Sequence, residues 1–559
     1  MTQGRTPGPR PENDPVPVIA MLAGLSVCVY GIIALMSWWF AYGSEPTDRP
    51  IVGVLCLFAV LFVFYVVAIR VLWRAKPSRR ALHLVVGTAI VFRVVMLFSV
   101  PIQEVDIYRY LWDGAVSTSG VSPFRYSPQD VISAGVTDDE ELNRLAELRD
   151  RKPVLAEILH RVHFPEIPTV YPPTSQFVFA VANLSTPSSA SVSTRLLVMK
   201  AWLIGFDVAT LLVVVALLRR CGMAAELCVI YAWCPLIMKE FANSGHLDAI
   251  AVFLTTLGLY VVVCCFDLQS ADRQRRTGWT MYSLLSAMVL GLAVGAKLYP
   301  VILAPLVFFT LLRKFGWRVT VAPSVVFVVT TVIVLFPMFP GSGSVSDHDQ
   351  IDDPSLGVVT FLRQWEMNDF LFLIAIENLK PTGHLGSHEI AWFSVVPESI
   401  RESLTGSLSS TLGIAPGEAP FMLARGGTAA IFFVVAMALS WWGSATTSLR
   451  FCEAAFLTIA WFWLLCPTLN PWYWTWALPL LPFARGRAWI AVSGLVFIYY
   501  FRFWLVYHFP STAVLGTPYT GAAFYDFVVT WLEFAPWFAV LIGMYVWRRS
   551  KRNYAFSTD

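Results

Sequence analysis

IVGVLCLFAVLFVFYVVAIRVL, residues 51–72, is the stretch of this sequence that decides the fold. It carries a single charged residue, Arg70, and a membrane-spanning α-helix needs about 20 consecutive, predominantly apolar residues. Similar runs recur along the chain, so that 57% of its 559 residues are hydrophobic, 14% are charged and the mean hydropathy is +0.62. Soluble domains carry about 25% charged residues. The composition therefore predicts an all-α integral membrane protein with many spans.

The apolar runs predict roughly 12–14 transmembrane helices, because each span uses about 20 residues. Two runs, Tyr299–Leu312 and Trp472–Phe483, are short for a span and predict broken or re-entrant helices. Two others, Met223–Phe241 and Trp279–Ala296, are long enough to cross. Residues 16–548 are expected to form a single transmembrane domain. The polar stretches 1–15 and 549–559 are expected to be cytoplasmic tails, the first of them disordered.

Lysine and arginine set the expected orientation, since cytoplasmic loops collect them. With the N terminus inside, every basic cluster falls on the cytoplasmic side, including Arg70–Arg80, Arg313–Arg318 and Arg548–Arg552. The net charge of +3 is then a consequence of orientation and indicates no nucleic-acid partner. The same assignment places two long polar segments, 103–193 and 340–420, on the extracytoplasmic face. Segments of that length are usually functional.

The first of these segments opens with EVDIYRYLWDG, residues 104–114. Asp106, Arg109 and Asp113 are spaced i, i+3 and i+7, which predicts one face of a helix. We expect this helix to lie along the membrane surface with its aromatic residues at the headgroup level. The alternative is that its charges only solvate an interfacial helix, with Arg109 pairing both acids.

Three further clusters are expected at the same face: Ser244–Asp248, Lys297–Tyr299 and Asn470–Trp474. Each alone has a simple structural explanation, such as helix capping, a lysine that snorkels or an aromatic belt. Together they would surround one external cavity with a carboxylate, an imidazole, an ammonium group and aromatic rings.

The ordered motifs resemble the GT-C superfamily of membrane glycosyltransferases, most closely family 87 and neighbouring mannosyltransferase-like proteins that use polyprenyl-phosphate sugars. The resemblance covers residues 82–481, and its signal is the shared order of the motifs. They are EVDIYRYLWDG, VSPFRY, VYPPTSQ, SGHLDA, GAKLYP, FLRQWEMNDFLF and NPWYW.

The resemblance implies a GT-C-like helical bundle in a bacterial plasma membrane, with short interfacial helices in the two outer loops. It implies transfer of a hexose, most often mannose, from a polyprenyl-phosphate donor to a lipid- or glycan-linked acceptor at the extracytoplasmic face. Asp106 takes the place of the family's catalytic base, with Glu104 and Asp113 as substitutes. A positioned base accelerates such a reaction by roughly 10²–10⁴-fold, and inversion needs only one.

The leaving phosphate would need cationic or hydrogen-bonding donors. Candidates are Lys297, Arg109, Tyr299 and Arg363, with His246 as a catalytic proton donor or shuttle. Acceptor-binding or cavity-lining side chains are also expected. They are Asp113, Tyr171, Gln176, Asp248, Trp365, Asn368, Trp472 and Tyr473.

No cofactor and no metal are expected. The acidic segment 347–353 has oxygen ligands that could hold a divalent cation, but a solvated loop is the preferred interpretation. Among charges inside apolar runs, Arg93 and Asp207 could pair within the bundle. Rival functions are a flippase or transporter of lipid-linked sugars and a lipid-linked glycan polymerase or ligase.

Overall fold

The structure, a computed structural model, describes residues 14–267, 276–339, 367–382, 389–444, 447–486 and 488–556. Helices make up 75% of it, and the described residues contain no β-strand. A single isolated bridge joins Met367 to Thr468. The chain is therefore a polytopic all-α membrane protein, as its composition predicts.

Ten helices among the described residues are long and apolar enough to cross a membrane. They are Val16–Phe40, Pro46–Arg74, Arg79–Leu97, Val192–Arg220, Asp248–Phe266, Trp317–Met338, Ala419–Gly443, Ser448–Leu465, Ala488–His508 and Gly521–Met544.

The other four apolar runs form shorter elements. Met223–Phe241 is divided into a 3-10 turn, two short helices and the π-helix Met238–Asn243. Trp279–Ala296 forms the helix Arg276–Val294, in which the shorter stretch Thr280–Val294 is the apolar part. The two short runs are broken as predicted. In the first, the 3-10 turn Tyr299–Leu303 leads into the helix Ala304–Phe315, and in the second, the short helix Pro471–Trp474 precedes the 3-10 turn Leu478–Phe483. Both 3-10 turns contain proline, which removes a backbone hydrogen-bond donor.

The segment 103–193 folds into five helices between two spans. They are Asp106–Thr118 (the Asp106 helix), Pro128–Ser133, Glu140–Arg151, Pro153–His160 and Pro173–Leu184 (the Pro173 helix). In the segment 340–420 the described helices are Leu371–Glu377 and Glu398–Leu412. Arg363, Trp365 and the acidic segment 347–353 lie outside the described residues.

The Asp106 helix confirms the predicted helical spacing, but its aromatic residues are not exposed at a surface as expected. Residues 107–116 are all buried, because the Pro173 helix and the helix Pro153–His160 pack against it. A Cβ atom at Gly114 would lie 2.5 Å from the carbonyl oxygen of Phe179, so only glycine permits this approach. The charges of this helix therefore act inside the protein and do not solvate a surface.

The expected pair of charges inside the bundle is confirmed. Arg93 donates to both carboxylate oxygens of Asp207, at 2.6 Å from Nε and 3.0 Å from Nη2, and both side chains are fully buried. The hydroxyl of Tyr231 donates to the same carboxylate at 2.7 Å. The pair joins the helices Arg79–Leu97 and Val192–Arg220, which precede and follow the segment that carries Asp106.

Candidate active site

A cavity of about 970 Å³ lies between the Asp106 helix, residues 163–172, the turn at Lys297 and the aromatic segments around Trp472 and Tyr499. This is the size of a site for a large ligand. Seven of the predicted site residues line it: Asp106, Arg109, Tyr171, Lys297, Tyr299, Trp472 and Tyr473.

Asp106 begins its helix directly after a second carboxylate. Oε1 of Glu104 accepts hydrogen bonds from the backbone N–H groups of Val105 and Asp106, at 2.9 and 3.0 Å, and so satisfies free donors at the helix start. The hydroxyl of Tyr171 donates to Oδ2 of Asp106 at 3.0 Å. Burial and the neighbouring charge of Glu104 raise the pKa of Asp106 above its ordinary value. The carboxylate is therefore a stronger base than an exposed aspartate.

His246 lies behind Glu104 and does not line the cavity. Its Nε2 is 3.3 Å from a carboxylate oxygen of Glu104 and 3.3 Å from one of Glu240, and neither contact is aligned as a hydrogen bond. Burial alone would lower the pKa of His246, but the two carboxylates raise it to about 10. Burial would likewise raise the pKa of Glu104, yet the charge of His246 lowers it to about 2. His246 is thus a buried imidazolium that keeps Glu104 ionised.

The turn that carries His246 depends on one glycine. Gly245 has φ of +69°, and a Cβ atom there would lie 2.7 Å from Cδ1 of Ile107 in the Asp106 helix. The imidazole of His246 stacks on the ring of Trp472, with ring centroids 4.6 Å apart and an angle of 17° between the ring planes. The close approach at Gly245 and the stacking on Trp472 together fix the imidazole relative to Glu104.

Glu240 and Lys239 extend this buried charge cluster into the broken run 223–241. Tyr500 donates to Oε1 of Glu240 at 2.6 Å, and Nζ of Lys239 is 2.8 Å from both Ser244 Oγ and the Tyr500 hydroxyl. The sequence analysis missed both residues. Their signal was available, since charges inside an apolar run are functional candidates.

Lys297 is held at the cavity wall by an acid and two rings. Its Nζ is 3.2 Å from Oδ2 of Asp248 and 4.9 Å from the ring centroid of Tyr473. Nε1 of Trp476 donates to the other oxygen of Asp248 at 2.5 Å. Asp248 itself does not line the cavity, so it orients Lys297 from behind.

The Pro173 helix fixes the turn before Lys297. Thr174 N–H donates to the Gly295 carbonyl at 2.8 Å, and the hydroxyl of Ser175 donates to the Ala296 carbonyl at 2.8 Å. Tyr299, just after the turn, stacks on Trp476 with centroids 4.2 Å apart. The elements that carry Asp106 and Lys297 are thereby joined through one short helix.

Consecutive aromatic rings form one wall of the cavity, here called the aromatic wall. It consists of Tyr473, Trp472, Tyr499, Phe503 and Tyr507, each within 6.3 Å of the next between ring centroids. Rings of this kind offer flat faces with polar edges. Such a surface suits the apolar faces of sugar rings.

Some predicted residues have structural partners. Arg109 donates to the carbonyls of Phe164 and Ile167, at 2.8 and 3.1 Å, and pairs with neither acid of its helix, so the proposed pairing of both acids is wrong. Asp113 accepts from Nε2 of Gln176 at 3.0 Å, and neither lines the cavity. Burial raises the pKa of Asp113. Arg109 holds residues 163–167, which form part of the cavity wall.

Asn368 also lies off the cavity. It donates to the Leu469 carbonyl at 3.2 Å and accepts from the Tyr525 hydroxyl at 2.5 Å. It therefore connects the second long segment to Leu469, just before Asn470, and to Tyr525. No group of three or more side chains suited to a metal ion occurs in the ranges that the structure describes.

The sequence analysis also missed polar side chains that line the cavity, among them Arg49, Gln103, Tyr507 and Arg425. Gln103 directly precedes Glu104 and could have been found from that position. Arg49 lies between the 3-10 turn Pro46–Asp48 and the helix Ile51–Arg74, where a lone charge gives no pattern. Tyr507 and Arg425 lie far from the motifs, and only the packing of the helices brings them to the cavity.

A protein-family model described as "Alpha-(1->6)-mannopyranosyltransferase, N-terminal domain" matches residues 16–313 of the 559. No curated protein and no solved structure matches the chain. The matched part carries Glu104, Asp106, His246 and Lys297. The aromatic wall lies beyond it.

Proposed function

The chain belongs to the alpha-(1->6)-mannopyranosyltransferase family of membrane glycosyltransferases, and from this premise we propose its donor, its acceptor and its catalytic base. The donor is a polyprenyl-phosphate-linked mannose, and the acceptor is a hydroxyl of a lipid- or glycan-linked sugar. Asp106 is the general base. The family description supports an α-(1→6) linkage in the product.

The observation that carries this proposal is the state of Asp106. It lines a cavity of about 970 Å³, Tyr171 fixes its carboxylate, and burial and the charge of Glu104 raise its pKa. A base works best when its pKa approaches the working pH, provided that it remains deprotonated. A half-buried carboxylate made more basic and facing a large cavity fits that role.

In the proposed reaction the acceptor oxygen attacks the anomeric carbon of mannose. The new C–O bond forms as the bond between that carbon and the phosphate oxygen breaks, and the bonding electrons leave with the polyprenyl phosphate. Asp106 takes the hydroxyl proton and later releases it to solvent. Displacement from the opposite side inverts the configuration, so an α product requires a β-linked donor.

Lys297 is the proposed ligand of the leaving phosphate, because it is a cation at the cavity wall and developing phosphate charge needs such a donor. A series of contacts between aromatic rings leads from Lys297 to two candidate membrane spans. Its Nζ is 6.0 Å from the centroid of Trp476, Trp476 contacts Phe462, and Phe462 contacts Phe432. Phe462 and Phe432 belong to two candidate membrane spans. This apolar path supports a lipid-linked donor, whose prenyl chain would follow it.

The proposed active site faces the extracytoplasmic side of a bacterial plasma membrane. The basis is the distribution of lysine and arginine along the sequence, which assigns the segment 103–193 to that side.

The donor class is tested with purified protein in lipid nanodiscs. Radiolabelled mannosyl-phosphoryl-polyprenol and radiolabelled GDP-mannose are offered separately with an octyl α-mannoside acceptor. We expect transfer from the lipid donor alone. Transfer from the nucleotide donor would contradict the proposed donor class, and movement of the lipid-linked sugar across a liposome membrane with no transfer would favour a flippase.

A further inference from the structure

Arg49 lies at the end of the aromatic wall opposite to Lys297. Its guanidinium carbon is 5.9 Å from the ring centroid of Tyr507, the last ring of the wall, whereas Lys297 contacts the first ring, Tyr473. Both cations line the same cavity. A continuous aromatic surface therefore separates these two cations, and Arg109 and Arg425 also line the cavity.

Arg49 is fixed in place by its neighbours. Nη1 donates to Oε1 of Gln103 at 2.7 Å, Nε to Ser44 Oγ at 3.3 Å and Nη2 to the Ser44 carbonyl at 3.2 Å. These bonds use three of the five N–H donors of a guanidinium group. Two donors remain for a ligand.

Gln103 completes this cluster. Its Nε2 donates to the Tyr507 hydroxyl at 3.2 Å, which leaves the hydroxyl proton of Tyr507 free to point elsewhere. Gln103 is buried and has φ of +51°, a conformation that non-glycine residues rarely adopt. Such strain persists where the surroundings enforce it, most often at functional sites. The strained residue directly precedes Glu104, so this cluster is covalently next to the catalytic segment.

The charge of Arg49 is not balanced by a carboxylate. Within the described part of the chain, no acid lies within ion-pair distance of it. Asp48 and Glu45, the acids of its own loop, are exposed, whereas Glu104 is paired with His246. Lys297, by contrast, is paired with Asp248. A half-buried cation without a counter-charge at a cavity wall fits an anionic ligand.

We propose that Arg49, Gln103 and Tyr507 form a second anion subsite, which binds a phosphate-type group in the head of the acceptor. The inference rests on the proposed function, because inverting displacement places acceptor and leaving phosphate on opposite sides of the anomeric carbon. Lys297, with its apolar path to the membrane spans, serves the donor side. Arg49, joined through Gln103 to the segment that carries the base, serves the acceptor side. The acceptor is accordingly an anionic glycolipid.

The test measures equilibrium binding with no donor present, so that it does not depend on turnover. Two probes differ only in charge: mannosylglycerol bearing an octyl phosphodiester and mannosylglycerol bearing an octyl ether. We expect the native protein to bind the phosphodiester at least about tenfold more tightly. Arg49→Gln should weaken that probe by roughly 10- to 100-fold, the usual effect of losing a hydrogen bond to a charged group, and leave the ether within about twofold.

Three variants and a third probe make the result specific. Arg49→Lys should retain part of the preference for the phosphodiester. Arg144→Gln, which removes an exposed arginine off the cavity, should leave both affinities unchanged. Farnesyl phosphate, a donor-side lipid phosphate, should lose affinity in Lys297→Gln and keep it in Arg49→Gln.

Equal binding of the two mannosyl probes by the native protein would overturn the proposal. So would equal weakening of both probes in Arg49→Gln, which would mean that Arg49 only supports the loop. Weakened farnesyl phosphate binding in Arg49→Gln would assign the subsite to the donor and also overturn it. A protein that shows the charge preference yet transfers no mannose would contradict the proposed function alone.

Discussion

The basicity of Asp106 is set by burial and by neighbours with opposite effects. Burial and the charge of Glu104 raise its pKa, whereas the charge of His246 and the hydrogen bond from Tyr171 lower it. Substitutions of Glu104 and of Tyr171 should therefore shift the titration of Asp106 in opposite directions. This gives the base assignment a test that does not rely on loss of activity.

Glu104→Gln removes one of the charges that raise the pKa of Asp106. The amide oxygen can still accept the bonds from Val105 and Asp106 N–H, and the charge of His246 then acts on Asp106 without Glu104 to offset it. The pKa of Asp106 should fall. We expect the acid limb of the kcat/KM–pH profile to move to lower pH, and the plateau of kcat to fall by roughly tenfold because a weaker base is less effective. An acid limb that moves to higher pH would contradict this account.

Tyr171→Phe should move the same limb in the opposite direction. The hydrogen bond at 3.0 Å stabilises the charged form of Asp106, so its loss raises the pKa. We expect the acid limb at higher pH and activity at pH 7 reduced by roughly 3- to 10-fold.

Tyr110→Phe is the matched control, since the Tyr110 hydroxyl is buried nearby and has no hydrogen-bond partner among the described residues. It should leave the profile unchanged. The same shift in both tyrosine variants would exclude the specific role of Tyr171.

At the scale of single residues, the sequence predicts which residues lie close together better than it predicts how they interact. The spacing of Glu104 and Asp106 places two acids together, and the motif order suggests His246 and Lys297. It does not reveal that His246 contacts Glu104 and lies off the cavity, because that depends on the turn at Gly245 and on stacking against Trp472. Arg109 was predicted at the cavity, but its carbonyl partners come from an irregular loop that has no sequence signature.

At the scale of the helices, the Asp106 helix and the Pro173 helix form one unit. They meet at Gly114 and Phe179, and the second helix also holds the turn before Lys297. Their contact therefore fixes the base relative to the proposed phosphate ligand.

Gly114→Ala should separate this pair. The added Cβ would lie 2.5 Å from a backbone carbonyl, which cannot rotate away as a side chain could. We expect a destabilisation of about 1–3 kcal/mol, seen as a lower Tm, together with a reduced kcat. Gly87→Ala, in a helix where the added atom meets nothing within 4 Å, should leave both unchanged. An unchanged Tm and kcat in Gly114→Ala would show that the contact is not required.

The helices themselves were predictable, but their burial was not. The i, i+3, i+7 spacing gives a helix at Asp106, and its mixture of charged and aromatic residues reads equally well as an interfacial helix. The structure buries it because the helices of the same segment cover it. For the runs Tyr299–Leu312 and Trp472–Phe483, short length gave the correct prediction of a break. The run Met223–Phe241 was expected to cross the membrane, and that prediction is wrong, because it is divided into short elements.

At the scale of the whole molecule, the bundle beneath the site is held together by apolar packing and by the buried pair of Arg93 and Asp207. A buried pair is costly to break, since one charge is left without compensation, whereas replacing both partners by apolar groups is often tolerated.

Arg93→Met should therefore lower the Tm strongly, by a destabilisation of about 3–5 kcal/mol, because it leaves Asp207 charged and buried. The double variant Arg93→Met with Asp207→Leu should recover most of that loss and retain transfer activity. The measurement is thermal unfolding in detergent with a parallel transfer assay. A double variant less stable than the single one would contradict this account.

The fold class follows from composition and run length alone, because no soluble chain carries this many apolar spans. The cavity does not, because one of its ends is formed by residues as far apart in the sequence as Arg49 and Tyr507, which only helix packing brings together.

The central claim is that Asp106 removes the proton of the acceptor hydroxyl. Its most direct test compares native protein, Asp106→Asn and Asp150→Asn, which removes an exposed acid of the same segment, in a transfer assay with mannosyl-phosphoryl-polyprenol. We predict that Asp106→Asn loses roughly 10²–10⁴-fold in rate with its Tm and donor affinity unchanged, while Asp150→Asn transfers at the native rate. Transfer by Asp106→Asn at the native rate would contradict the claim.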